Sequence, residues 1–144
     1  ELTMDSFIES VRSEIESLNL SIVSIEDNEA AYFYDVLKHK FRLDYTSLFV
    51  WSKLNRFSDF SYGESVNWEV LIQELMNDFN SELFLCITNE EFYPWPILKG
   101  KKGEIVELIG SLPFFEYFVF DSNFEELLFD THDNFFRKVR IIKA

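Results

Sequence analysis

Cysteine, histidine, glycine and positive charge are all scarce in this sequence, and each scarcity removes a class of function. Cys86 is the single cysteine in 144 residues, so no disulfide can form within the chain. It sits in an apolar run, where a thiol behaves as a small buried hydrophobe. The histidines are two, His39 and His132, whereas a zinc site of the usual kind takes three or four ligands from defined elements. Four glycines in all leave no Gly-rich loop to cradle phosphate, and no P-loop, G-x-G-x-x-G, G-x-S-x-G or H-E-x-x-H pattern is present. No stretch approaches the roughly 18 apolar residues that cross a bilayer. The first segment is amphipathic and acidic, with no apolar h-region of a signal peptide. The expectation is a cytoplasmic protein with no cofactor, no bound metal and no membrane partner.

Lys and Arg number 13 against 26 Asp and Glu, a formal net charge of −13. A field of that sign repels a phosphate backbone, which argues against nucleic acid as a partner. The same field speeds association with a basic protein and keeps the free chain soluble. The acids are unevenly placed. From Ser61 to Trp95 there are seven and no Lys or Arg, and from Pro113 to Asn134 six more, again without a basic residue. If the two segments share a face, it carries a concentrated negative field. Alternation with the basic segments, such as Lys99, Lys101 and Lys102, also fits salt bridging across a solvated surface.

What the chain has in abundance is aromatic side chains: 17 Phe, 6 Tyr and 3 Trp. These supply large buried area per residue, and a chain of this length can bury roughly two-thirds of its unfolded surface without a metal or disulfide. The mixture of 47% hydrophobic and 27% charged residues is that of a globular protein, expected as one domain over residues 1–144. So many large apolar groups also leave some for a working surface.

Phe7, Ile8, Val11, Ile15 and Leu18 recur at helical spacing behind a cap at Asp5 or Ser6, with Glu9 completing a capping box. Leu20 to Ile25 alternates as a short strand, and Asn28 caps a helix to about Lys40. The stretch from Tyr45 to Phe60 fits either a strand or a helix, and Ser58 to Gly63 reads as a loop. Ser65 caps a helix through Phe79. Leu83 to Thr88 is a near-continuous apolar run and so a central strand. Gly100 and Gly103 bound a basic turn, followed by a helix from Glu104 to Ser111. Phe115–Phe120, Leu127–Thr131 and Val139–Ile142, separated by turns at Asp121-Ser122-Asn123 and His132-Asp133-Asn134, read as a meander. The fold class is therefore α+β, with N-terminal helices packed on a mainly antiparallel sheet and a C-terminal β-meander.

The tightest polar cluster is Asp130-Thr131-His132-Asp133-Asn134. A histidine between carboxylates can act as a general base or metal ligand, and a small hydrolase using His132 with Asp130 is one alternative function. Asp and Asn also hydrogen-bond their own backbone in hairpin turns, and that structural reading is adopted. A thiol nucleophile pairing Cys86 with His39 or His132 conflicts with the strand context of the cysteine. The adjacent pairs Glu90–Glu91 and Glu125–Glu126 carry no glycosidase signal, since any acidic chain supplies such pairs. The loop after the strongest strand is more informative. It sets Phe92, Tyr93 and Trp95 beside Glu90 and Glu91, and aromatic rings among acids suit a protein interface. The competing reading folds these rings back over the sheet edge. Partner contacts are expected from Glu90, Glu91, Phe92, Tyr93 and Trp95, and from Asp121, Glu125, Glu126, Asp130 and Asp133 of the second acidic segment.

Several local patterns occur together from Tyr62 to the end: Tyr62-Gly63 before the Trp68 helix, the run LFLCIT, Pro94-Trp95-Pro96-Ile97-Leu98, and Glu116-Tyr117 leading to Phe129-Asp130-Thr131-His132-Asp133. In these the chain resembles small bacterial proteins found among the immunity proteins of polymorphic and contact-dependent growth-inhibition toxins. The resemblance implies a cytoplasmic antidote that binds a cognate toxin domain, often a basic nuclease, and covers its active site or substrate surface. A further alternative is an acidic regulatory interaction module with no toxin partner.

Overall fold

A computed structural model describes residues 4–43, 45, 54, 57–62, 67–88, 95–113, 115–131 and 135–140. In chain order the elements are α1 (Met4–Ser17), β1 (Val23–Ser24), α2 (Asp27–Phe41), β2 (Ser58–Ser61), α3 (Trp68–Leu75), β3 (Glu82–Ile87), β4 (Ile97–Lys101), α4 (Lys102–Ser111), β5 (Tyr117–Asp121), β6 (Glu126–Asp130) and β7 (Phe135–Arg140). The strands form one sheet in the order β1-β4-β3-β5-β6-β7-β2, with every neighbouring pair antiparallel. The fold is α+β, and β5, β6 and β7 form the expected meander.

Alternation along the strands explains why their sequences read as unbroken apolar runs. In β3, Leu83, Leu85 and Ile87 join a core with Phe7 and Val11 of α1, Ile72 and Leu75 of α3, and Ile105 and Leu108 of α4. Phe84 and Cys86 point the other way, into a core with Ala30, Phe33, Tyr34 and Leu37 of α2. Tyr117 and Val119 of β5 follow the first set and Phe118 and Phe120 the second. The sheet is thus covered on both faces, so both sides of its inner strands must be apolar. The second core is the more aromatic, with Phe33 edge-on to Phe84 at 4.9 Å and Phe84 stacked on Phe120 at 5.0 Å.

Several local expectations shift. Met4 already lies in α1, which places Asp5 and Ser6 inside the first turn rather than at the cap. α2 starts at Asp27 behind Glu26, one residue before the expected Asn28 cap. It carries Asp27 and Glu29 in its first turn and Lys38, His39 and Lys40 in its last, complementing the helix dipole. Ser65 lies outside the described residues, and α3 is capped by Asn67, whose side chain accepts from the Val70 amide at 3.1 Å. It ends at Leu75, with Phe79 still buried in the turn that follows. The stretch LSIVSI forms a strand only at Val23–Ser24.

Two strands were not expected. Ser58–Ser61, read as the start of a loop, pairs with β7. Of the basic turn expected between Gly100 and Gly103, Lys102 and Gly103 open α4, while Gly100 and Lys101 end the strand Ile97–Lys101, which lies between β1 and β3. Gly100 is needed there because a Cβ would come within 2.7 Å of Ile22 Cγ1, so glycine marks close packing rather than a bend. Most of the ambiguous stretch from Tyr45 to Phe60, and the turn at His132-Asp133-Asn134, lie outside the described residues.

Candidate functional site

β6 carries an apolar-acid alternation on one face. Leu128 points into the α1, α3 and α4 core, while Leu127 and Phe129 point into the α2 core. Glu126 and Asp130 stand two residues either side of Leu128 and so share its face. Two carboxylates are thereby placed beneath helices rather than in water, and each gathers its own partners.

At one end, Asp130 is only 5% exposed. Its Oδ1 accepts from the Tyr62 hydroxyl at 2.6 Å, and its Oδ2 from the Tyr117 hydroxyl at 3.0 Å and Trp68 Nε1 at 3.4 Å. The partners come from the residue after β2, the start of β5 and the start of α3. Burial, then the hydrogen bond and negative charge of Asp130, push the Tyr62 hydroxyl up. Burial and then the Asp130 charge do the same to Tyr117. Both phenols therefore remain protonated donors at neutral pH and neither serves as a base. The next residue closes the strand end, with Thr131 Oγ1 donating to the Phe135 carbonyl at 2.7 Å. A buried carboxylate with both oxygens accepting hydrogen bonds is suited to tying elements together.

At the other end, Glu126 is 3% exposed and lies near Asp78, Lys138 and Arg140. Asp78 Oδ2 accepts from Lys138 Nζ at 3.1 Å and Arg140 Nη1 at 3.2 Å. The hydrogen bond from Lys138 is the main reason that the Asp78 carboxyl lies below its ordinary range. Glu126 is pushed up, chiefly by burial.

The residues expected to contact a partner are placed as follows. Trp95 is not an exposed loop anchor: it is 3% exposed, with its ring 6.0 Å from that of Tyr34 and 5.7 Å from that of Tyr45. Its carbonyl accepts from the Tyr34 hydroxyl at 2.7 Å, which fixes the segment against α2. Asp121 is buried too, and its Oδ1 accepts from the amides of Glu125 at 3.1 Å and Glu126 at 3.3 Å, bracing the β5–β6 turn. Together with Glu126 and Asp130 it faces inward, so three of the acids expected on a contact face are structural. Glu125 is half-buried at the turn. Glu90, Glu91, Phe92, Tyr93 and Asp133, with His132, lie outside the described residues.

The thiol of Cys86 is fully buried, and burial pushes it up, against an opposing hydrogen bond from Tyr34. His39 has a side chain 74% exposed and bonds the Asp35 carbonyl through Nδ1 at 2.8 Å, so it cannot pair with that buried sulfur. Among the described residues, no group of three or more His, Cys, Asp or Glu is placed to hold a metal ion. Also among them, no helix is long and apolar enough to cross a membrane.

Of the partners of these acids, Tyr62, Trp68 and Tyr117 stood out in the sequence only within the patterns that carry the resemblance, and Asp78 and Lys138 had no signal of their own. The one available clue was the E-L-L-F-D alternation of Glu126–Asp130, which sets both acids on the same side as a core leucine. An outward feature was also missed: Tyr32 is 62% exposed on α2, among the exposed acids Asp27, Glu29 and Asp35. Compared with protein-family models and with curated protein sequences, the chain gives no match.

Proposed function

We propose that this chain is a binding protein for a basic macromolecular partner, and within that class an immunity protein that neutralises a cognate toxin domain, with a basic nuclease as the fitting target. The observation that carries the reading is the surviving surface charge. Burying Asp121, Glu126 and Asp130 still leaves acid outside: Asp27 and Glu29 on α2, at the end opposite its exposed Lys38 and Lys40, Asp35 further along it, and Glu69 and Glu74 on α3, which carries no basic residue. Such a surface attracts a basic domain over about a Debye length and competes with phosphate for it. Tyr32 adds an exposed aromatic group of the type that anchors interfaces. A hydrolase using Asp130 with His132 draws less support, because both oxygens of Asp130 are already engaged by Tyr62, Tyr117 and Trp68.

The test is association with purified basic nuclease-type toxin domains, followed by stopped-flow kinetics over a salt series. The expected result is a 1:1 complex whose association rate falls at least about tenfold between 0.05 and 0.5 M salt. Failure to bind any such domain overturns the reading, and salt-insensitive binding removes the electrostatic argument for it.

A further inference from the structure

At the corner where Glu126 is buried, the hydrogen bonds are shared unequally. Four charged side chains meet there: Asp78 from the turn after α3, Glu126 from β6, and Lys138 and Arg140 from β7. Both cations make their hydrogen bonds to Asp78 Oδ2, at 3.1 and 3.2 Å. Glu126 Oε1 is left with Lys138 Nζ at 3.9 Å and Arg140 Nε at 3.6 Å, and it is buried without a hydrogen-bond partner among the described residues. A desolvated carboxylate oxygen in that state is costly, whereas the protonated acid carries no charge to solvate. The remaining charges do not restore the balance. Asp121, at the end of β5, adds further negative potential on Glu126. Lys102 of α4 reaches the same turn but spends its ammonium on the Phe79 carbonyl at 3.0 Å.

We infer that Glu126 is a proton-binding latch, in which Asp78 outcompetes it for Lys138 and Arg140 and the protonated Glu126 carboxyl then donates to Asp78. Two carboxyls can hydrogen-bond to each other only when one holds a proton, and the two are shifted in the matching directions, Glu126 up mainly through burial and Asp78 down mainly through Lys138, with a hydrogen bond to Glu126 contributing. The latch holds the turn after α3 to the sheet, and Asn80 Nδ2, which donates to Ser122 Oγ at 3.0 Å, ties the same turn to the β5–β6 connection. The sign follows from linkage. A carboxyl raised in the folded state contributes stability that is fully present below its unfolded value and is lost as pH rises through the folded value. Glu126 therefore contributes stability in acid that is lost as pH rises through its raised folded-state value.

The test follows the Glu126 side-chain carboxyl by ¹³C NMR during pH titration of the intact protein. In the wild type its midpoint is expected above the ordinary glutamate range, and a midpoint within or below that range overturns the inference. In Asp78→Asn the two cations are released to Glu126, so its midpoint should fall; an unchanged or higher midpoint overturns the competition. Glu126→Gln mimics the protonated state. It should melt higher than wild type at pH 7, with the gap closing towards pH 4, and a gap that widens on acidification refutes the assigned sign.

Discussion

Trp95 is where expectation and structure diverge most sharply, so its truncation is the most informative perturbation. As an exposed interface anchor, Trp95→Ala would weaken partner binding and leave the fold intact. As the core residue found here, with 3% of its surface exposed between Tyr34 and Tyr45, it should do the reverse. A tryptophan side chain buries about 150–250 Å², and large-to-alanine changes of this kind cost about 3–5 kcal/mol once the residual cavity is included. The hydrogen bond from the Tyr34 hydroxyl ends on the Trp95 carbonyl, which alanine retains, so that bond survives the truncation. For a chain of this length the melting temperature should drop by about 10–20 °C. Urea denaturation should show a lower midpoint at unchanged slope. Trp95→Phe, which keeps part of the ring contact, should lose markedly less. A loss below about 1 kcal/mol for the alanine variant, measured with two-state behaviour intact, would refute the core assignment.

Two further pairs of changes probe the packing and the Asp130 clamp. Gly100→Ala puts a methyl 2.7 Å from Ile22 Cγ1 and 3.3 Å from Ile105 Cδ1 and should destabilise by about 1–3 kcal/mol. Gly103→Ala meets nothing within 4 Å and should be neutral or gain up to about 1 kcal/mol, and equal effects in the two would undo the steric argument. Tyr117→Phe should cost about 1.5–3 kcal/mol, because its hydroxyl bonds a buried carboxylate that water cannot readily reach. Tyr62→Phe should cost less despite its shorter bond, since Tyr62 is only half-buried and solvent can replace the hydroxyl. Chemical denaturation checks all four, and the reverse order for the two tyrosines would contradict the burial argument.

Much of the fold was legible because apolar spacing is a local property. The run Leu83–Thr88 announced a strand covered on both faces, and Phe115–Phe120 with Leu127–Thr131 announced the meander, since each needs only its own side chains to declare its period. The strands that were missed share a different cause. Ser58–Ser61 is an edge strand with every residue exposed, and Ile97–Lys101 contains Gly100 and two lysines. Neither shows an apolar period, and both are strands because a neighbour supplies their backbone hydrogen bonds.

The candidate site divides the same way. Clustered acid in the second half was plain from the residues, but its direction was not. Asp121 and Glu126 stand at opposite ends of one turn, and Asp130 one strand-length further on, and all three face inward because strand alternation carries them under the helices. A glutamate written next to another glutamate says nothing about which of the two is buried.

The sequence by itself determined the acidic balance, the single cysteine and the α+β class, all of which depend on composition and short-range period. Only the tertiary structure decided that Trp95 is core, that Asp130 is held by Tyr62, Tyr117 and Trp68, and that Lys138 and Arg140 make their hydrogen bonds to Asp78 while lying 3.9 and 3.6 Å from Glu126. Those contacts join residues as many as 68 positions apart. A hydrogen bond or buried charge takes its energy from distance and solvent exposure, and neither exists until the chain has folded.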